Sequence, residues 1–515
     1  MKSRVAATVL VAAIVASACG SGGTGGSEPP PLLTTTVRAA TSQASETTTT
    51  IPFAEIAQVD CPDHLSRSDG NQLACGVATV AINRADGSPG TTRITIATLA
   101  GYDTGFATPV AVLQGGPGGS SSELGSWFPQ QPFTQVFVDQ RGTGFVGPDF
   151  DCPEIVDALG RVLASTSGEG AIVAGEAYDD CARRLDDDIV LQNTDSEAHA
   201  ADVVEVMAGL GYGRWVVYGV SYGSTIGLEI LRDAPSAVAG VVLDGVYPPE
   251  LDVDRALFES AEAALDHLDS ECAATSLCRS YLDDGSVRST LERVMRELDD
   301  EPLVIPLTAN EIGYSTGINV VLDGQRAAEF AFLFLYQESQ LRFLPAVIGG
   351  LDDRDAASAR WLARNGARTL ISSQRANDEG TYFAVQCHDR LPFTDGPGEE
   401  SGGFGSAITA AGLSPACTEW ERSLAADTAD DQVESSIPTL LLSGSFDPVT
   451  PAAFADRAAE GLTNHTAIEQ GGRGHGIWFG SECIAQVVQL FVADPARTLD
   501  TSCADEPVPV EWARP

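Results

Sequence analysis

Three residues of this chain have the types and the chain order that nucleophilic catalysis requires. Ser221 sits in the stretch GVSYG, Asp447 in LLLSGSFDPVTP and His475 in GGRGHGIWFG. A serine hydroxyl is a weak nucleophile at neutral pH, so it needs a base to take its proton and a carboxylate to orient that base. Of the six histidines, only His465 and His475 lie close to the C-terminal end. His465 begins an expected strand, whereas His475 lies in a glycine-rich loop between a strand and a helix, so His475 is the better base. Asp447 follows a buried apolar run and precedes His475; Asp244, which also follows such a run, is the reserve for the acid. GVSYG alone decides nothing, because two glycines around a serine also make an ordinary tight turn.

The elements around these residues give the motif its context. The runs PVAVLQ (109–114), QVFVDQ (135–140), RWVVYG (214–219) and VAGVVLDG (238–245) are short, apolar and without alternation. That pattern suits strands buried on both faces of a parallel sheet. CGVATVAINR and TTRITIATL alternate instead, as a hairpin or meander does. SEAHAADVVEVMAGLG (196–211) carries apolar residues at helical spacing and ends on glycine. Ser221 therefore falls between a buried strand and an expected helix, STIGLEILRDA, which is the position of a nucleophile elbow. Gly219 and Gly223 permit the sharp turn there.

A tetrahedral intermediate needs two N–H donors for its oxyanion. One expected donor is the amide of Tyr222, at the start of the helix after the nucleophile, where unpaired N–H groups and the helix dipole favour negative charge. The other is expected from QGGPGGS (114–120), a glycine-rich loop after an earlier strand, with Gly116 first and Gly115 next to it.

From about residue 251 to 431 the composition turns helical, and the strand pattern resumes at IPTLLLSG (437–444) and HTAIEQ (465–470). The organisation expected is a signal peptide over 1–18, a flexible linker over 19–52, an α/β core over 53–250, a helical cap over 251–431 and the rest of the core over 432–515. The N-terminus has two basic residues and then an apolar run of about twelve residues, too short to span a bilayer as a helix and fit for a signal peptide. ASAC resembles the lipobox of bacterial lipoproteins, which implies lipidation of Cys19 and attachment to a membrane through that lipid. The chain has eleven cysteines, and assigning Cys19 to the lipid leaves ten for pairing in an oxidising compartment. Sequential pairing gives short loops: Cys61 with Cys75, Cys152 with Cys181, Cys272 with Cys278, Cys387 with Cys417, and Cys483 with Cys503. No CxxC pair or histidine-rich cluster suggests a metal site, and no cofactor is expected. The formal net charge of −42, with Lys2 the only lysine, argues against nucleic acid as a partner; such a surface either concentrates cationic ligands or simply keeps an exported protein soluble.

GGPGG, DQRGTG (139–144), GVSYG, GSFDPVTP and GHG, in this order and with a helical insertion before the acid, resemble the prolyl and tripeptidyl aminopeptidase family of α/β-hydrolases. The resemblance spans roughly residues 60 to 505. It implies an α/β-hydrolase fold with a mostly parallel sheet, a cap over the site, cleavage from a free N-terminus, and an acyl-enzyme on Ser221 that water releases. Gln114 departs from the histidine that prolyl aminopeptidases usually carry before GGPGG, which counts against strict prolyl specificity. DQRGTG reads as scaffold. In such aminopeptidases cap carboxylates hold the substrate ammonium, and Asp389 in AVQCHDR and Glu419 are the candidates here. The function expected is a serine exopeptidase acting on peptides or proteins with a free N-terminus. A carboxylesterase or lipase with the same triad is the rival, and a non-catalytic hydrolase-like binding protein is a third reading.

Overall fold

The computed structural model describes residues 53–84, 90–103, 105–390, 393, 403–409, 417, 420 and 430–515. Cys19 and Glu419 lie outside the described residues. Strands β1 (Glu55–Val59), β2 (Ala74–Ala81) and β3 (Thr91–Leu99) form an antiparallel meander, and β3 pairs antiparallel with β5 (Gln135–Val138). From β5 the sheet is parallel through β4 (Val110–Leu113), β6 (Trp215–Val220), β7 (Val238–Asp244), β10 (Thr439–Gly444) and β11 (His465–Gln470). The sheet thus has nine strands in the order β1-β2-β3-β5-β4-β6-β7-β10-β11. Every residue of β4, β5, β6 and β10 is buried, which is why their sequences show no polar alternation.

Helices cover both faces. On one, α4 (Ser196–Gly209) and α5 (Tyr222–Asp233) pack Val203, Met207, Ile226 and Leu228 against Val217, Val241 and Leu441. On the other, α1 (Ser121–Gly125) and the helix Glu482–Ala493 pack Leu124, Val488 and Phe491 against Phe137, Tyr218 and Leu442. The chain passes from β4 to β5 on one side and returns to β6 on the other. This reversal opens a crevice at the carboxyl ends of β4 and β6, the place where ligands bind in open α/β sheets.

A third apolar cluster forms the cap. It contains α6 (Val253–Ala274) and the helices Gly324–Tyr336, Leu344–Asp352, Ala356–Ala376 and Glu379–Asp389. It also takes in α2 (Pro153–Leu163) and α3 (Ser167–Leu185), which lie well before the composition shift near residue 251. The cap is not purely helical: β8 (Leu303–Leu307) and β9 (Ile318–Leu322) form a separate antiparallel hairpin. Five disulfides join the cysteines in the sequential pattern and take ten of the eleven. Among the described residues no helix is long and apolar enough to cross a membrane.

Candidate active site

Ser221 stands between the last residue of β6 and the first of α5, at φ 57° and ψ −126°. This is a strained conformation for a residue with a side chain, and it is held by neighbours that only glycine allows. A Cβ on Gly219 would lie 2.1 Å from the Gly223 carbonyl oxygen, and one on Gly223 would lie 2.2 Å from that of Leu113. The Ser221 N–H donates to the Asp244 carbonyl at 2.9 Å, so the elbow is tied to the end of β7.

His475 and Asp447 arrive on the loops after β11 and β10. Asp447 Oδ2 accepts from His475 Nδ1 at 2.7 Å, and both side chains are buried. The other oxygen of Asp447 accepts from the N–H groups of Val449 at 3.0 Å and Thr450 at 2.9 Å. The Thr450 hydroxyl donates to Asp447 Oδ2 at 2.7 Å and lies 2.9 Å from His475 Nδ1. Burial pushes the Asp447 carboxyl up, but the His475 imidazole and the Thr450 donors outweigh it and hold the group below the usual carboxylate value. Burial pulls His475 down, and the Asp447 carboxylate more than reverses this, leaving the imidazole above its ordinary value. The Tyr336 ring covers the imidazole with centroids 4.7 Å apart. Among the described residues His475 Nε2, which is buried, has no hydrogen-bond partner, and no bond joins it to Ser221 Oγ in this structure. Catalytic hydrogen bonds are often open before substrate binds.

Asp244 has a different task. Its carboxylate accepts from Ile477 N at 2.9 Å, Trp478 N at 3.0 Å and Tyr218 Oη at 2.9 Å. It fastens the His475 loop to the same strand end that holds Ser221. His465, at the start of β11, turns Nδ1 to the Leu462 carbonyl.

The glycine-rich loop lies against the nucleophile. A Cβ on Gly115 would come within 2.6 Å of Ser221 Cβ and 3.1 Å of Ser221 Oγ. The Gly115 N–H is taken by its neighbour's side chain, Gln114 Oε1, at 3.1 Å, while Gly116 follows at φ 114°. Tyr222 is the first residue of α5, so its amide has no acceptor within the helix. Its hydroxyl points away into a buried network, 3.0 Å from both Ser196 Oγ and His199 Nδ1.

Asp389 belongs to that network. Oδ2 accepts from Ser196 Oγ at 2.5 Å and Ser196 N at 3.0 Å, and Oδ1 lies 2.7 Å from His388 Nδ1. A second cap carboxylate, which sequence reasoning missed, is less engaged. Glu379 is 2 % exposed, and among the described residues neither of its oxygens has a hydrogen-bond partner. Burial first, then the nearby Asp378 and Asp151, push its carboxyl up to about 8. Its helix begins against the glycine-rich loop: Asp378 N donates to the Gly118 carbonyl at 2.9 Å, and Asn377 bridges Gly119. Glu379, Tyr382 and Gln386 recur at helical spacing on one face. The only sequence signal for Glu379 was its place one turn ahead of AVQCHDR.

Among the described residues, two groups bring three potential metal ligands within 4.8 Å of one another. In one, Cys152 and Cys181 are spent on a disulfide; the other is Asp149, Asp151 and Asp378, an all-oxygen set with two exposed members. Neither includes a triad residue.

Residues 108–281 match the family described as alpha/beta hydrolase fold, and residues 404–503 match the one described as TAP-like protein. The chain is 31% identical over 140 residues to a proline iminopeptidase of Neisseria gonorrhoeae, covering 27% of this chain and 33% of that protein. It is 22% identical over 312 residues to serine protease Hip1 of Mycobacterium tuberculosis (strain CDC 1551 / Oshkosh), covering 57% of this chain and 58% of that one. The chain thus spans about a third to somewhat over half the length of these relatives. The crystal structure of a proline iminopeptidase of Mycobacterium smegmatis aligns over 81% of this chain and 98% of its own, with 15% identity and a TM-score of 0.40. The first matched segment carries Ser221 and the second Asp447 and His475; the chain has the α/β-hydrolase fold and is similar, over these segments, to prolyl and tripeptidyl aminopeptidases of that fold.

Proposed function

We propose that this protein is an exported serine exopeptidase that removes a residue or short peptide from a free N-terminus through an acyl-enzyme on Ser221. The observation that carries the reading is the buried Asp447–His475 pair, 2.7 Å apart, with Nε2 unpartnered and the strained Ser221 fastened to the same strand end. His475 takes the Ser221 proton as the hydroxyl attacks the scissile carbonyl, then gives it to the leaving amine. Asp447 fixes the tautomer and balances the imidazolium. The Tyr222 and Gly116 amides receive the oxyanion. Water, activated by the same His475, releases the acyl group.

The substrate ammonium is the part the cap must hold, since an unpaired buried charge is costly. Asp389, the sequence candidate, is already satisfied by Ser196 and His388, which suits a scaffold role. Glu379 fits the ammonium better: it is buried, has no hydrogen-bond donor among the described residues, and follows Asp378, whose N–H meets the glycine-rich loop. Burial holds it neutral until a cation arrives, and binding one draws its proton off. Glu419 stays a second candidate. The five disulfides fit an oxidising compartment and leave Cys19 for the lipid that anchors the chain on the outer side of a membrane.

Peptide amides with free and N-acetylated termini test this reading. Losing a buried charged partner costs roughly 2 to 5 kcal/mol, about 30- to several thousand-fold in kcat/KM. Acetylation should produce a loss of that size, and Glu379→Gln should impair the free-amine peptide while sparing a small neutral ester. Equal cleavage of both peptides rejects the exopeptidase reading, and ester hydrolysis without peptide cleavage makes the protein an esterase.

A further inference from the structure

The segment Asp139–Gln140–Arg141 follows β5 and carries three consecutive polar side chains that are 3%, 3% and 0% exposed. Each is committed. Asp139 accepts from Ser122 N at 2.8 Å, Ser122 Oγ at 2.7 Å and Ser120 Oγ at 3.1 Å, which secures the far end of the glycine-rich loop. Arg141 donates to Asp202 and to the carbonyls of Ala81 and Ile82, which bolts the segment to the core. Gln140 lies between them. Its Oε1 accepts from Gly118 N at 2.9 Å, and its Nε2 reaches the carbonyls of Gln114 at 3.1 Å, Gly115 at 3.0 Å and Gly119 at 3.3 Å. One primary amide thus holds nearly the whole loop.

Peptide planarity turns this contact into a direction. The Gly115 carbonyl and the Gly116 N–H belong to one peptide unit and point opposite ways. Drawing that carbonyl onto Gln140 aims the Gly116 N–H away from Gln140, and Gly115 lies against Ser221, within 3.1 Å of Oγ for a Cβ built there. We infer that Gln140 is the positioning residue of the oxyanion hole, presenting the Gly116 amide to the charge that develops above Ser221. It touches no reacting atom. A primary amide serves because the site demands an acceptor for Gly118 and an NH2 whose two hydrogens are shared among three carbonyls; glutamate keeps the acceptor and sets a second oxygen against those carbonyls. The same segment reaches the other donor, since Arg141 N donates to His199 Nε2 at 3.2 Å and the other nitrogen of His199 lies 3.0 Å from the Tyr222 hydroxyl. His199 is neutral there, pulled to about 4 chiefly by burial, so its Nδ1 carries the proton toward Tyr222.

The inference rests on the reading of residues 114–120 as the oxyanion loop, and the test separates the two. Gln140→Glu and Gln140→Met are compared with wild type for turnover of a free-amine peptide amide. Inhibition is measured with a peptidyl trifluoromethyl ketone, whose serine adduct carries an oxyanion, and with the product peptide, which does not. Misplaced donors cost about 10- to 100-fold. Both variants should lose that factor in kcat with KM within about threefold, and the ketone should weaken by the same factor while the product peptide binds within about twofold of wild type. A merely structural role weakens ketone and product alike and overturns the inference, as does wild-type turnover in both variants. If glutamate prevents folding, judged by thermal unfolding, the uncharged methionine variant decides. If wild type itself forms no ketone adduct on Ser221, the site reading falls and the Gln140 inference with it; adduct formation unchanged by both variants overturns the inference alone.

Discussion

Asp447→Asn separates orientation from charge in the Asp447–His475 pair. The substituted amide keeps the shape of the carboxylate but has one acceptor. Val449 N and Thr450 N both donate to Asp447 Oδ1, at 3.0 and 2.9 Å, so the amide oxygen takes that place. The amide NH2 then replaces Oδ2, 2.7 Å from His475 Nδ1, and donates to it. The imidazole proton is forced onto Nε2, the atom that must accept the Ser221 proton. A base in the wrong tautomer costs roughly 10⁴-fold in kcat, or about 5 kcal/mol. The acid limb moves as well. Wild-type His475 sits above its ordinary value because Asp447 outweighs burial; without that carboxylate burial dominates and the value falls. The base must be neutral to act, so activity is lost as pH falls through its pKa, and the limb of the variant lies at lower pH than that of wild type. The assay is kcat against pH for one peptide amide, with thermal unfolding to confirm the fold. A loss under tenfold, or a limb displaced upward, refutes the orientation argument.

Cys19→Ala should move active protein from the membrane fraction to the medium; wild type already free in the medium, with its N-terminus elsewhere, rejects the anchor. Replacing Cys152 and Cys181 with alanine should lower stability by about 2 to 4 kcal/mol in a urea titration, because that bridge ties the start of α2 to α3, and an unchanged midpoint contradicts this. Glu379 carries a pH signature of its own. Its folded value, about 8, exceeds the ordinary 4.5, so the folded state holds more protons between those limits and stability falls as pH rises through that window. Glu379→Gln should therefore unfold at higher temperature than wild type at pH 8 and gain little at pH 4; equal gains at both pH values count against a buried, unpartnered carboxyl.

The parallel core was legible because burial on both faces leaves an uninterrupted apolar run. PVAVLQ, RWVVYG and IPTLLLSG became β4, β6 and β10. The edge strand β1, EIAQV, was not legible: exposed at most positions, it has no apolar pattern and exists through its pairing with β2. The hairpin β8–β9 was hidden in helical surroundings, since five-residue strands carry little periodicity. Composition also gave no sign that α2 and α3 pack with the cap, because an amphipathic helix does not announce its partner. At the site, strand, turn and helix around Ser221 and the loop positions of Asp447 and His475 followed from local pattern. Thr450, Gln140 and Glu379 did not: Thr450 meets His475, 25 residues on, Gln140 reaches carbonyls 25 and 26 residues earlier, and the burial of Glu379 is set by the fold and not by its neighbours in sequence. Asp389 shows the converse: a cap acid chosen by neighbourhood in sequence whose carboxylate meets Ser196, 193 residues away.

The central claim is an acyl-enzyme on Ser221 formed from the N-terminal part of a peptide. Intact-protein and peptide mass spectrometry after acid quench of a reacting free-amine substrate measures it directly. Acylation should add the mass of the released N-terminal fragment less one water, confined to the peptide containing Ser221 and absent from Ser221→Ala. Product that accumulates with no adduct in that peptide, or an adduct that persists in Ser221→Ala, contradicts it.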